Sequence, residues 1–252
     1  MTSVHKPFFL EHPEKKAIVV FVHGFMGSPR QFDRLAKSAY ALGYCAASLL
    51  LPGHGFTAKE FSASRMEQWQ GHVYEETERL THSYKRIYIA GHSMGSLMAI
   101  NAATKYKEHV CGLFLIACPF KLKYLSMHSM RVRMMQVFYR KKHPVKSAYL
   151  EGCSVPLRPN LLWRTIKPVA QVKKLMLLTK GNLHNVKVPV TAAYSSYDEI
   201  VSIDSLETLK NGLTQAALNT ITLSDSLHAY YPEHEQAALE NALTSLLQKE
   251  FD

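Results

Sequence analysis

Three residue types that together carry out nucleophilic catalysis occur in this chain in suggestive settings. Ser93 stands inside Gly91-His92-Ser93-Met94-Gly95, Asp198 inside Ser195-Ser196-Tyr197-Asp198-Glu199, and His228 inside the stretch from Ser224 to Tyr231. Serine is a weak nucleophile at its own pKa and needs a base to take its proton as attack proceeds, the task of His228. The imidazole needs a carboxylate on its other nitrogen, to fix the tautomer and stabilise the imidazolium, and Asp198 suits that role. A tetrahedral oxyanion needs preorganised N–H donors, each worth about 3–4 kcal/mol of barrier lowering. The main-chain N–H groups of Met94, directly after the serine, and of Phe25, in an earlier loop, are the candidates.

Each assignment has rivals. Asp198 competes with Glu199, Asp204 and Asp225; it is the first acid after its strand, and Asp225 is the strongest alternative. Among thirteen histidines, His228 is singled out by the short loop that follows the last strand. His23, before Gly24, shapes its loop by hydrogen bonding and is also a candidate to line a substrate pocket, and His54, between two glycines, either lines that pocket or stabilises a turn. His92 is next to the nucleophile but is directed elsewhere by the turn, and His234 reads as a solvated helical residue. Met127 and Met130 are further pocket candidates, because methionine is flexible and polarizable. Tyr197 and Trp69 read as packing residues.

These residues are useful only if the chain delivers them to one place. Arg86 to Ala90 is a short apolar, β-branched run, and Leu97, Met98, Ile100 and Ala103 recur at helical spacing. A strand, a tight turn and a helix with serine at the apex form a G-x-S-x-G nucleophile elbow. Ala17 to Val22, Cys45 to Leu51, Val110 to Ala117 and Val188 to Tyr194 are continuous apolar runs, as in strands buried on both faces of a parallel sheet. Asn219 to Leu223 is the last strand. Between them the sequence predicts helices from Ser28, capped by Ser28 with Gln31 completing a capping box and Pro29 at the first helical position; from about Ser64 to Ser83; from near Ser202; and from Pro232 to about Gln248. Three β–α units in series indicate a doubly wound, mostly parallel sheet with right-handed crossovers and helices on both faces. In such sheets chemistry collects past the carboxyl ends of the strands, where His23-Gly24-Phe25, Ser93, Asp198 and His228 all fall. After Cys118-Pro119 the rhythm breaks. Residues 120–186 show helical spacing and no buried strand, and read as a helical cap inserted after the fourth core strand, with 1–119 and 187–252 as the core.

Composition sets the outer bounds. Apolar residues make up 47% and charged residues 20%, ordinary for a soluble globular domain. No window approaches the ~20 apolar residues of a membrane span, and the first residues lack the pattern of a signal peptide. Cys45, Cys111, Cys118 and Cys153 have no metal-ligand spacing and read as reduced thiols, which suggests a cytoplasmic location. The net charge of +10 is concentrated: residues 121–187 hold 15 Lys or Arg and one acid, Glu151, while the rest of the chain is net negative. Nucleic-acid binding by the whole protein is therefore not expected. The basic segment suggests weak peripheral contact with anionic lipid, by long-range attraction.

Five segments carry a resemblance to a known family: His23-Gly24-Phe25-Met26-Gly27-Ser28-Pro29, Pro52-Gly53-His54-Gly55, Gly91-His92-Ser93-Met94-Gly95, Tyr197-Asp198-Glu199-Ile200-Val201 and Ser226-Leu227-His228. The chain resembles the α/β-hydrolases and, within them, small bacterial carboxylesterases and monoacylglycerol lipases. The resemblance implies Ser93 as nucleophile, Asp198 as acid, His228 as base, Phe25 and Met94 as oxyanion donors, no cofactor or metal, and an acyl-enzyme route on carboxylic esters such as short- to medium-chain acyl esters or monoacylglycerols. Two departures are visible. The family's N-terminal hairpin is shortened to one strand near Phe8 to Glu11, and the Asp that often lies three positions after Trp69 is His72. The same triad suits a thioesterase or an acyltransferase, and the fold also suits a binding protein without turnover; a dehalogenase is excluded by serine where a carboxylate would stand.

Overall fold

The computed structural model describes residues 5–14, 17–123, 142–155 and 163–248. Seven strands form one sheet: β1 (Phe8–Leu10), β2 (Ile18–Val22), β3 (Cys45–Leu49), β4 (Ile87–His92), β5 (Val110–Ile116), β6 (Val190–Ser195) and β7 (Leu218–Leu223). Their order is β1-β3-β2-β4-β5-β6-β7. The short edge strand β1 runs antiparallel to β3, and every other pair is parallel. The apolar runs of β2, β3 and β4 are buried throughout, because helices cover both faces.

The helices are α1 (Asp33–Ala41), α2 (Ala58–Ala63), α3 (Met66–Thr81), α4 (Met94–Lys105), α5 (Pro144–Gly152), α6 (Ile166–Asn182), α7 (Ser205–Gly212) and α8 (Glu233–Gln248). On one face α1 packs with α8, and on the other α4 packs with α3 and α6. This is the doubly wound α/β arrangement read from the sequence.

Two helix starts differ from the sequence reading. Ser28 does cap, accepting from Arg30 N–H, but the element it opens is a single 3-10 turn, Pro29–Phe32, and α1 follows. Gln31 makes no capping box; its side-chain amide donates to Gly152 O at 3.1 Å, a tertiary contact that outcompetes the local one. The helix expected from about Ser64 to Ser83 is the single helix α3, which starts at Met66, and a separate short helix that was not expected, α2, precedes it, with Ser64 and Arg65 extended between the two. The Thr57-x-x-Glu60 sequence before α2 is a complete capping box, a signal present in the sequence.

In the segment expected to form the cap, α5 and α6 are described and the stretch bearing Met127 and Met130 lies outside the described residues. Helix α6 runs along α4 and joins it through buried amides and a hydroxyl. Asn101 Nδ2 donates to Thr179 Oγ1 and to Gln70 Oε1, and Asn182 Nδ2 donates to Asn101 Oδ1. These polar groups are satisfied by one another, which removes the cost of burying them. The later part of that segment is thus packed against the sheet's own helical layer.

Candidate active site

Parallel register brings the strand ends level: Val22 pairs with Gly91, His92 with Ile116, and Ser195 with Leu223. The loops after β2, β4, β6 and β7 therefore open on one edge. Ser93 sits between β4 and α4 at φ 52°, ψ −121°, a left-handed region that non-glycine residues rarely enter. Met26 and Ala117, after β2 and β5, are the other non-glycine residues with positive φ among those described. Strain of this kind gathers at sites that need unusual presentation.

The glycines of the elbow have a measurable reason. A Cβ on Gly91 would lie 2.5 Å from Ser96 Cα, and one on Gly95 would lie 1.9 Å from the Val22 carbonyl oxygen. The turn is pinned by Ser93 N–H donating to Ile116 O at 2.7 Å and by the Ser96 hydroxyl donating to Gly91 O at 2.8 Å.

Ser93 Oγ is 3.1 Å from His228 Nε2, and His228 Nδ1 is 2.8 Å from Asp198 Oδ2. All three residues are buried. Asp198 Oδ1 accepts the N–H groups of Ile200 and Val201, each at 2.8 Å. Burial alone would raise the Asp198 pKa, but the charge and bond of His228, with those two N–H donors, hold it below the ordinary carboxylate value. Burial likewise pulls His228 down, and the Asp198 charge and bond, with the Glu199 charge, carry it above the ordinary 6.5. With Nδ1–H committed to Asp198, Nε2 carries the lone pair that faces Ser93. The rival acid Asp225 is exposed and pairs with exposed His234 at 3.2 Å.

The N–H groups of Met94 and Phe25 have no protein acceptor among the described residues. Two histidines named as pocket candidates, His23 and His54, brace the Phe25 loop, in line with the loop-shaping and turn-stabilising readings of them rather than with substrate contact. His23 and His54 are both 0% exposed. His23 Nε2 accepts Leu51 N–H and its Nδ1–H donates to Gly24 O; His54 Nε2 accepts Met26 N–H and its Nδ1–H donates to Pro52 O. Each ring bridges two stretches of main chain and has no nitrogen left for substrate. Burial pushes the His54 pKa down to about 4 and that of His23 well below 6.5, so both stay neutral and can accept.

His92 is also closer to the chemistry than its place in the turn suggested. Its Nε2–H donates to His228 O at 2.9 Å and its ring lies 4.9 Å from the His228 ring. Two further residues, Glu235 and Tyr149, escaped the sequence reading, and Glu199, weighed there only as a rival acid, has a different place. Buried Glu235 accepts from the N–H groups of Ser224 and Asp225 and from the Ser226 hydroxyl, tying down the loop that carries His228. Buried Glu199 accepts His228 N–H at 2.9 Å and the Tyr149 hydroxyl. The only hint in sequence was that Glu199 directly follows Asp198.

One group of side chains among the described residues has the proximity of metal ligands: Asp225, His234 and Glu235. Glu235 is already spent on the loop, and Asp225 and His234 form a surface pair, so the arrangement is that of an anchored turn. A cavity of about 470 Å³ lies between the start of α1, α5, residues 229–231 and α8, with His92 and Ile116 in its wall. Ser93 and His228 do not line it, but their chain neighbours His92 and Ala229 do, so it lies directly beside the reacting groups. No helix among the described residues is long and apolar enough to cross a membrane.

The chain is similar to known proteins along most of its length. It is 22% identical over 237 residues to a thermostable monoacylglycerol lipase from Bacillus sp. (strain H-257), a match covering 92% of this chain and 89% of that one. Its fold is similar to that of a solved structure described with LipS and LipT, two metagenome-derived lipolytic enzymes, at a TM-score of 0.78, 20% identity and 98% coverage of both chains. It is also similar to the monoacylglycerol lipase of Paleococcus ferrophilus, at a TM-score of 0.72 and 17% identity, covering 96% of this chain and 97% of that one. At such identities the structural likeness is one of fold. The family model described as serine aminopeptidase, S33, matches residues 13–181, and the chain belongs to that family of α/β-hydrolases.

Proposed function

We propose that this protein is a serine hydrolase of carboxylic esters, working through an acyl-enzyme on Ser93. The observation that carries the reading is the unbroken relay from Ser93 Oγ to His228 Nε2 at 3.1 Å and from His228 Nδ1 to Asp198 Oδ2 at 2.8 Å. Ser93 Oγ attacks the ester carbonyl carbon while its proton passes to His228 Nε2. The N–H groups of Phe25 and Met94 hold the oxyanion. The carbon–oxygen bond to the alcohol then breaks, with His228 returning the proton to the departing oxygen. Water, deprotonated by His228, attacks the acyl carbon, the bond to Ser93 Oγ breaks, and His228 returns the proton to Ser93 as the acid leaves. The relay requires no metal or cofactor.

Esters are favoured over peptides by two supports. The relatives just named are lipolytic proteins, and an aminopeptidase needs a free carboxylate to grip the substrate's ammonium group. The two buried acids at the triad, Asp198 and Glu199, are both engaged with His228. Short- to medium-chain acyl esters and monoacylglycerols are the proposed substrates. The test is a panel of p-nitrophenyl esters, monoacylglycerols, acyl-CoA thioesters and aminoacyl p-nitroanilides, run beside fluorophosphonate labelling. Esters turned over fastest and one adduct that disappears in Ser93→Ala are expected. Preference for thioesters or anilides would overturn the substrate class; an unreactive Ser93 would leave a binding protein.

The proposal extends to location and surface. Cytoplasmic residence is supported by four unpaired cysteines. Weak peripheral contact with anionic lipid is supported by α6, where Ile166 and Leu177 are 67% and 74% exposed among exposed Lys167, Lys173, Lys174 and Lys180. Within the basic segment 121–187, Arg131, Arg133, Arg140 and Lys141 lie outside the described residues.

A further inference from the structure

The main chain of His228 is held from several sides. Its carbonyl accepts from His92 Nε2–H at 2.9 Å and from the Tyr231 hydroxyl at 3.1 Å. Its N–H donates to Glu199 Oε2 at 2.9 Å. Glu199 is 1% exposed, and its second oxygen, Oε1, accepts the hydroxyl of Tyr149, a residue of α5. A chain of contacts therefore leads from α5, far from the triad in sequence, to the peptide that carries the base.

A neutral acceptor would satisfy one N–H as well. Burying a carboxylate costs several kcal/mol unless it is well bonded, and here it lies next to a second buried carboxylate, Asp198. The two acids divide the histidine between them, Asp198 on the ring and Glu199 on the main chain. The charged and titratable groups facing this cluster are His92, Tyr149, Tyr231 and Lys123, whose ammonium donates to Asp198 O at 2.7 Å. Burial and then the Glu199 charge push the Tyr149 phenol well above its ordinary value, so it remains a donor. Burial and the His228 charge hold His92 down at about 3, so it stays neutral. The acids are thus the charges that raise the basicity of His228.

We propose that Glu199 is a positioning residue for His228, fixing its main chain while adding negative charge beside the imidazole, and that Tyr149 latches α5 to it. The proposal rests on the reading of His228 as the base. It adds a second carboxylate to the single acid of the relay and makes the seating of α5 part of what aligns the base. Helix α5 also walls the 470 Å³ cavity, through Pro144, Ser147, Ala148 and Glu151, so the latch fixes that wall too.

The test combines direct titration of His228 by NMR with pH profiles of kcat/KM in the full-length protein. Glu199→Gln keeps the shape and removes the charge. The His228 titration should move to lower pH by about half a unit, and the acid limb of activity should move with it. Tyr149→Phe should lower kcat/KM about threefold to tenfold in the native background and have no further effect in Glu199→Ala, since the two act as a unit. An unmoved His228 titration in Glu199→Gln would overturn the electrostatic role. Equal losses from Tyr149→Phe in both backgrounds would overturn the latch. Should Glu199→Ala fail to fold, the cycle is run on Glu199→Gln, where the expected result is a loss from Tyr149→Phe at least halved. The titration needs no turnover, so an inactive protein with a shifted His228 would sink the ester reading and leave this one standing.

Discussion

Gly95 packs so tightly on Val22 that a Cβ on the glycine would stand 1.9 Å from the Val22 carbonyl oxygen. The start of α4 is thereby pressed against the end of β2, which brings the Met94 N–H and the Phe25 loop to the same spot. Gly95→Ala has to separate strand and helix, and should cost about 3 kcal/mol of stability together with most activity. Gly71, inside α3, has nothing within 4 Å of its would-be Cβ. Gly71→Ala should stabilise by roughly 0.5–1 kcal/mol. Urea melts of the two variants check both signs.

The two candidate acids differ in what they touch, and their variants should differ as well. Asp198→Asn leaves a buried ring nitrogen facing an amide and should lower turnover by roughly 10³-fold or more. Asp225→Asn disrupts only an exposed pair with His234, which is worth under about 1 kcal/mol, and activity should stay within about twofold. Steady-state rates on one p-nitrophenyl ester decide, and the reverse order would exchange the two acids.

Activity should disappear on the acid side along one titration. His228 must be neutral to accept the Ser93 proton, so protonation inactivates, and activity is lost as pH falls through the His228 pKa. Because the Asp198 and Glu199 charges outweigh burial and raise that pKa, the midpoint should lie above 6.5. A flat profile down to about pH 4 in a protein that stays folded would contradict histidine base catalysis.

His54 offers a contrast between bracing and substrate contact. His54→Phe keeps a ring in the site but leaves the half-buried Met26 N–H without its acceptor, at a cost of about 1–2 kcal/mol. The Phe25 N–H should shift with its loop, so the loss should appear in kcat, on the order of tenfold or more. Thermal melts and Michaelis–Menten kinetics read both. A change confined to KM in a fully stable protein would place His54 against substrate.

Charge on α6 should matter only at surfaces. On vesicles carrying the same monoacylglycerol, anionic lipid should speed hydrolysis over zwitterionic lipid at low salt, and added salt should erase the advantage as screening shortens the range of attraction. Reversing charge at Lys167, Lys173, Lys174 and Lys180 should do the same without altering rates on a soluble ester. Equal rates on the two vesicle types would remove lipid attraction from the account.

What could be read in the amino-acid order was whatever depends on neighbours a few positions apart. Buried parallel strands announce themselves as unbroken apolar runs, so β2, β3, β4 and β5 were legible. The elbow was legible because its glycines are needed within two residues of Ser93. Chain order along parallel strands then placed Asp198 and His228 past the ends of β6 and β7. What tertiary structure decided were contacts between segments distant in sequence. Gln31 abandoned its local cap for Gly152, 121 residues away. His23 and His54 became braces because each meets a main-chain group 28 residues off. Glu199 met Tyr149 across 50 residues. A ring nitrogen or carboxylate oxygen has no preference for one donor over another until packing brings a donor within 3 Å and excludes water, and that choice belongs to the folded molecule as a whole.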